Sequence, residues 1–415
     1  MTRFVLIALL TVPGTLRAES LDAFVREALD HNPEVAAAGK AWEAAKARVP
    51  QAGALEDPMI GVDVERSGTT RFDTFTDNEW MISQTVPWFG KRGLKGRVEE
   101  GMARKGEQEY RAKALEVTAM TKQAYYDLWQ AQRELELNRQ NQKLMEQFVD
   151  IATAKYEVGK SSQADVLKAR TELSKLREAE IDVQRNVEAA RAELNQQVNR
   201  AADAPAEIEP VIPTPQLTFT LAAAQEVAAE QRPELLAVRH GEMTSAKASL
   251  QLAKKDYLPD FQFRVEARQY NGRSGIQEYD TGVFLNFPWL QIGKRNAAIR
   301  EAKLGVERTQ LGYEALQRRT ETEIKKLYDG VRTMHHHYEL FAAKIIPQQR
   351  ATVEAARAGY QTDKDDFLDL LDAQRMLLEF EMQNFHHAAE FQRLLADLER
   401  IVGGELPTPA AKENP

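Results

Sequence analysis

Asp363, Asp365, Asp366, Asp369 and Asp372 place five carboxylates within ten positions of the chain. Aspartates at a helix start cap free N–H groups and suit the helix dipole, which accounts for the first three. It accounts less well for Asp369 and Asp372, which lie beyond a first turn and share one helical face with Asp365 at i, i+4, i+7 spacing. Two readings stay open. One is a solvated face paired with basic neighbours such as Arg375; the other, in a symmetric assembly, is a set of acidic rings that draw cations and raise their own pKa values.

Other polar clusters carry less chemistry. Histidines 335, 336 and 337 are consecutive, so on a helix they point about 100° apart and cannot all ligate one ion. They read as surface histidines, as do His386 and His387. Ser161 and Ser162, ahead of Asp165, suit helix caps. The sequence has no Gly-rich phosphate loop, nucleophile elbow or His-Glu-x-x-His motif. Neither catalysis, a cofactor nor a bound metal is expected.

The elements that position these residues follow from the length and pattern of the chain. At 415 residues it exceeds one compact core, and helix-forming residues dominate from about residue 100 onward, so long helices are expected. Residues 1–18 combine a basic start at Arg3, an apolar run from Phe4 to Leu10, and Pro13-Gly14 before Leu16-Arg17-Ala18. They read as a signal peptide, the run being too short for a membrane helix. Its removal takes away two arginines and no acid, making the mature chain still more negative than the full chain's −8 and giving no sign of a nucleic-acid partner. With no cysteine there is neither a disulfide nor a lipid-anchored cysteine at the junction. No later stretch approaches 18 consecutive apolar residues, so any membrane passage must be made by strands.

Landmarks recur at an offset of 200 to 204 residues. Asn32-Pro33-Glu34 returns as Arg232-Pro233-Glu234; Pro87-Trp88-Phe89-Gly90-Lys91-Arg92 as Pro288-Trp289 with Gly293-Lys294-Arg295; Tyr126-Asp127 as Tyr328-Asp329; Tyr156 with Asp165-Val166-Leu167 as Tyr360 with Asp369-Leu370-Leu371. The reading is therefore two structural repeats, 19–200 and 217–403, joined by a proline-rich exposed linker at 201–216 and followed by a flexible tail at 404–415. Each repeat opens with helices broken at an Asn-Pro or Arg-Pro step and then changes to period 2, as in Phe261 to Arg268, giving hairpins at about 59–88 and 260–290. A half-buried sheet and a barrel wall look alike at this level. Strands of roughly ten residues and aromatics near strand ends (Trp80, Trp88, Tyr270, Tyr279, Trp289) favour the barrel. Four strands cannot close alone, so other subunits are required; two copies would give a filled lumen and three a channel.

Runs from about Lys91 to Tyr156 and Lys294 to Tyr360 predict helices of roughly 100 Å. Ile324, Leu327, Val331, Met334, Tyr338, Phe341 and Ile345 follow 3,4 spacing, a seam for the returning helix Phe367 to Val402. The same features admit a periplasmic coiled-coil adaptor, although such proteins usually carry one hairpin rather than two.

This tandem order of broken helix, hairpin, very long helix, tip and return helix resembles the TolC family of outer-membrane efflux proteins over nearly all of the mature chain. The marks are Asn32-Pro33-Glu34, Pro87-Trp88-Phe89-Gly90-Lys91-Arg92, and Tyr156-Glu157-Val158-Gly159 with Asp165-Val166-Leu167. The resemblance implies a mainly α fold with a small β part, assembled as a homotrimer with a twelve-stranded barrel in outer-membrane lipid and a periplasmic tunnel of twelve helices. It implies as partners a periplasmic adaptor and an inner-membrane pump of the resistance-nodulation-division type. It assigns the periplasmic gate to Asp369 and Asp372, with Asp365 and Asp165 beside them, and adaptor contacts to Gly159, Lys160, Ser161 and Lys364. The family subgroup that the Pro-Trp-Phe-Gly-Lys-Arg signature resembles implies heavy-metal cations as cargo, with drugs or a secreted protein as alternatives. Two departures stand out: Asp363 occupies the place of Gly159, leaving the second turn open to another geometry, and Lys168 stands opposite Asp372.

Overall fold

The computed structural model describes residues 18–65, 76–270 and 272–406. The expected signal peptide, apart from Ala18, and the expected tail from residue 407 lie outside them. Helices α1 (Leu21–His31) and α2 (Pro33–Gly53) meet at the Asn32-Pro33 step. Asn32 holds that break: its amide nitrogen donates to Gln197 O and its side-chain oxygen accepts from Glu34 N. Strands β1 (Met59–Glu65) and β2 (Asp77–Val86) follow, then α3 (Lys91–Glu157, 67 residues) and α4 (Gln163–Gln197). The second half runs α5 (Leu221–Gln231), α6 (Pro233–Leu236), a π turn (Ala237–Glu242) and α7 (Met243–Lys255). It continues with β3 (Phe261–Tyr270), β4 (Glu278–Leu285), α8 (Ile292–Leu340), a π turn (Phe341–Ile345), α9 (Ile346–Gln361) and α10 (Phe367–Val402).

The helix expected from Lys294 to Tyr360 is therefore interrupted. Pro347 has no N–H, and its ring would clash with the carbonyl four residues earlier; the π turn just before it takes up the extra residue. The predicted seam holds as far as Phe341 and then slips by one position, because the extra residue of the π turn puts Ile346 rather than Ile345 in the buried row. Ile324 and Val331 are fully buried, and Phe341 meets Phe380 of α10 edge-on at 5.9 Å.

The chain divides into two compact units, each built from both repeats. One comprises residues 36–113 and 225–322 and contains the sheet. The other comprises 1–35, 114–224 and 323–415 and contains the ends of the long helices. Segment 201–216 has no regular helix or strand, as its prolines require, and most of it is exposed as expected, but it is pinned at several points. Ala206 and Ile208 are buried, Trp129 Nε1 donates to Pro210 O at 3.0 Å, and Gln392 Nε2 donates to Pro213 O at 3.1 Å.

The sheet is antiparallel in the order β1-β2-β3-β4, which leaves one edge each of β1 and β4 unpaired. The register fixes its two faces. Ile60, Val62, Trp80, Ile82, Phe263, Val265, Tyr279, Val283 and Leu285 share one face, and these large apolar side chains are exposed, Ile60 by 75%. The opposite face carries Asp63, Glu65, Asp77, Glu79, Glu266, Glu278 and Asp280 against only Arg264 and Arg268. No described helix is long and apolar enough to cross a membrane.

Candidate functional site

The tip regions of the two repeats form the first candidate site. After α3, Gly159 has φ +74°, and the amides of Gly159 and Lys160 donate to Tyr156 O (3.0 Å) and Lys155 O (2.8 Å). After α9, Asp363 has φ +60°, and the amides of Asp363 and Lys364 donate to Tyr360 O (3.4 Å) and Gly359 O (2.9 Å). The two turns share one hydrogen-bond pattern. Aspartate is among the few residues that tolerate the left-handed region, so losing the glycine did not change the turn.

What Asp363 adds is charge. Its carboxylate lies 2.6 Å from Lys155 Nζ and 3.0 Å from Lys160 Nζ, joining the second tip to the first. Hydrogen bonds from Lys155 and then Lys160 hold its pKa below the ordinary aspartate value. A further bridge lies along α4 and α10, where Arg375 grips Glu172 through two hydrogen bonds, Nε donating to Oε1 at 2.9 Å. Arg375 depresses the pKa of Glu172 in turn. Beneath the bridges, Met145, Phe148, Leu173, Leu176, Tyr360, Phe367, Leu370 and Leu371 form one buried cluster drawn from both repeats.

The acids single out differently from what spacing alone suggested. Asp369 and Asp372 lie on the exposed side of α10, away from Leu370 and Leu371. Asp372 reaches Arg375 at 3.3 Å, whereas Asp369 has no ion pair among the described residues and, contrary to expectation, falls within the first turn of α10, where a carboxylate suits the helix dipole. Asp365 stands ahead of Asp366, the residue that opens α10, so it does not belong to the helical face it was expected to share. Asp366 makes no side-chain cap, contrary to the capping expectation. Asp165 does cap: it completes a capping box with Ser162 and accepts from Ser161 Oγ at 3.0 Å. Burial works to raise its pKa, but the two serines outweigh it and the net shift is downward. Lys168 lies 3.8 Å from Asp165 on its own helix. Gly159, Lys160 and Lys364 are exposed on these turns, and Ser161 is half-buried.

The carboxyls of Asp165, Glu172 and Asp363 are all depressed, so the stability they lend is present above their unfolded pKa values, about 4. It is lost as pH falls through the still lower folded values. Hydrogen-exchange protection of the 159–162 and 359–366 amides is expected to stay constant from pH 7 to 5 and to fall only below about pH 4. Loss of protection already at pH 6 would contradict this.

The junction between sheet and helix is the second site. Lys91, 4% exposed, donates to Leu258 O and to Asp260 Oδ1, both at 2.9 Å, with Asp256 at 3.6 Å. Asp260 also accepts from Trp88 N at 2.8 Å. Burial favours a raised Asp260 pKa, but Lys91 and the Trp88 amide dominate and lower it. Gly90 has φ +84°, and a Cβ there would come within 2.8 Å of Lys255 Nζ, which is hydrogen-bonded to Phe89 O. The signature Pro87-Trp88-Phe89-Gly90-Lys91 is thus a joint that fastens the first residues of α3 to the strand pair of the other repeat. Its partners Leu258 and Asp260 lie in the other repeat and share no local pattern with it.

The aromatics lie at two levels. Tyr270 and Tyr279 sit at one end of β3 and β4, with Trp80 in the cross-strand row Val62–Trp80–Ala267–Tyr279; Trp88 and Trp289 lie just past the other ends. Tyr270 is on the charged face, its hydroxyl donating to Glu278 at 2.7 Å. Among the described residues no three His, Asp or Glu side chains converge as a metal site.

Paired long-helix hairpins with a sheet that is apolar on one face, charged on the other and open at both edges define a subunit of a helical-tunnel channel of the outer membrane. The profile of the outer membrane efflux protein family matches residues 24–200 and 224–404, and the chain belongs to that family. These are channels of the cell outer membrane with a periplasmic helical extension, and not enzymes. The chain is 24% identical over 380 residues to the alkaline protease secretion protein AprF of Pseudomonas aeruginosa, covering 82% of this chain and 76% of AprF. Its fold matches the CusC channel with a TM-score of 0.81 at 16% identity, over 93% of this chain and 92% of CusC. The MtrE outer membrane channel of Neisseria gonorrhoeae matches with a TM-score of 0.78 at 17% identity, over 92% and 89%.

Proposed function

We propose that three copies of this chain close a twelve-stranded barrel in the outer membrane and form the exit duct of a tripartite efflux system. The observation that carries this reading is the sheet with two unpaired edges and an exposed apolar face. Free edges are not tolerated in lipid, and pairing β4 of one copy with β1 of the next removes them. The charged face then lines the lumen, and its excess of carboxylates favours cations over anions. Trp80, Trp88, Tyr279 and Trp289 serve as interfacial anchors, with Tyr270 at the same level as Trp80 and Tyr279 but facing inward. Asp369 and Asp372 form the periplasmic constriction, with Asp365 and Asp165 on the adjoining turns. Gly159, Lys160, Ser161 and Lys364 meet a periplasmic adaptor that couples the duct to an inner-membrane pump of the resistance-nodulation-division type.

Heavy-metal cations are the cargo this reading assigns. A second reading, export of a protein, is favoured by the similarity to AprF. A deletion strain distinguishes them. Increased sensitivity to divalent metals, restored by the gene, supports metal efflux; unchanged metal tolerance with loss of an exoprotein from the medium contradicts it and supports secretion. In planar bilayers the purified protein is expected to give discrete cation-selective channels, and anion selectivity would contradict the lumen assignment.

A further inference from the structure

The histidines dismissed from the sequence are not all equivalent in the fold. His335 has Glu339 3.6 Å away and lies near the Phe391 ring, while His336 is exposed. His337 on α8 and His387 on α10 face each other across the helix pair, ring centroids 5.1 Å apart and planes at 77°. Phe341 closes over His387 at 5.0 Å. His387 Nδ1 is buried and has no hydrogen-bond partner. One turn earlier on the same face of α10, Asn384 Oδ1 is likewise buried and unpartnered.

Two orphaned polar atoms on one face call for a physical account, since each has lost contact with water without gaining a partner. Edge-to-face packing accounts for the ring contact but not for the unused nitrogen. Two imidazoles that ligate one tetrahedral ion at about 2.0–2.1 Å have centroids about 5 Å apart. The observed separation of 5.1 Å fits that span. Nitrogen donors suit borderline ions such as zinc, copper or nickel, and not calcium or magnesium.

We propose that His337 and His387, with Asn384 beside them, form a site for a borderline divalent transition-metal ion linking α8 to α10. The protein supplies two imidazoles and at most a carboxamide oxygen, with water completing the shell, so the ion is held exchangeably rather than as a permanent structural part. The site lies within one chain and does not depend on the cargo or on the trimer.

The test is calorimetric titration of the full-length, detergent-solubilised protein, without a histidine tag, with zinc sulfate at neutral pH. One zinc per chain is expected, weakened at least tenfold in His337→Ala and in His387→Gln and unchanged in His336→Ala. Magnesium should give no heat of binding. Thermal unfolding in EDTA serves as the folding control, with each variant expected to melt as a single cooperative transition. No zinc binding to the parent protein, or equal binding by all three variants, would overturn the proposal.

Discussion

Truncating Lys91 to alanine is expected to lower the stability of the unit that contains the sheet by about 2–3 kcal/mol. Removing one partner of a fully buried pair costs about 3–5 kcal/mol, and partial exposure of Asp260 reduces that figure. The Lys91 side chain is 6% exposed and that of Asp260 27%. Without the ammonium, the Asp260 carboxylate keeps the Trp88 amide as a donor, and Leu258 O loses its own. The urea midpoint of the detergent-solubilised protein reads the change. A cycle with Asp260→Asn isolates the pair, because the double variant should lose clearly less than the sum of the single ones. A Lys91→Ala shift within about 0.5 kcal/mol, the range of ordinary surface changes, would show that the joint is not where α3 is held.

Replacing both Asp369 and Asp372 by alanine is expected to raise single-channel conductance several-fold and to reduce cation selectivity. Under the proposed gate, these positions supply stacked acidic rings at a constriction. Shortening them widens the passage and removes charge that holds cations in transit. Both side chains are exposed in the isolated chain, so the substitutions should leave stability nearly unchanged. Asp363→Gly tests the alternative that the link between the two tips, rather than the acidic rings, keeps the passage narrow. It keeps the left-handed turn while cutting the bridges to Lys155 and Lys160. Unchanged conductance and selectivity in the double alanine variant, with a wide channel in Asp363→Gly, would move the gate from the acids to the ion pairs.

The parts of this architecture that depend on local pattern could be read from the sequence. Period-2 alternation in Phe261 to Arg268 gave both faces of the sheet, and the 3,4 spacing from Ile324 to Phe341 gave the seam against α10, although its last position moved from Ile345 to Ile346. The repeat offset aligned Gly159 with Asp363, and the two turns share one geometry. What resisted reading was long-range pairing. Lys91 meets Asp260 across 169 positions and Arg375 meets Glu172 across 203, and nothing in the composition of either segment points to the other. The repeat offset did hold a clue, because residues about 203 apart occupy matching places, and the Arg375–Glu172 and Lys160–Asp363 pairs both fall at that separation. The π turn before Pro347 was equally hidden, since a proline marks a disturbance without saying how the chain absorbs it. His337 and His387 were passed over because helical periodicity treats each run of histidines separately.

The central claim is that three chains close the sheet by pairing β4 of one copy with β1 of the next. Because the chain has no cysteine, one cysteine at Val62 in β1 can be combined in turn with one at Tyr279, Thr281 or Val283 in β4, all on the same face, without a background thiol. Oxidation in intact outer membranes, read on denaturing non-reducing gels, should give covalent dimers and trimers at one of the three positions and no larger species. Monomers alone at every position, or a ladder that stops at two chains or runs past three, would contradict the twelve-stranded barrel.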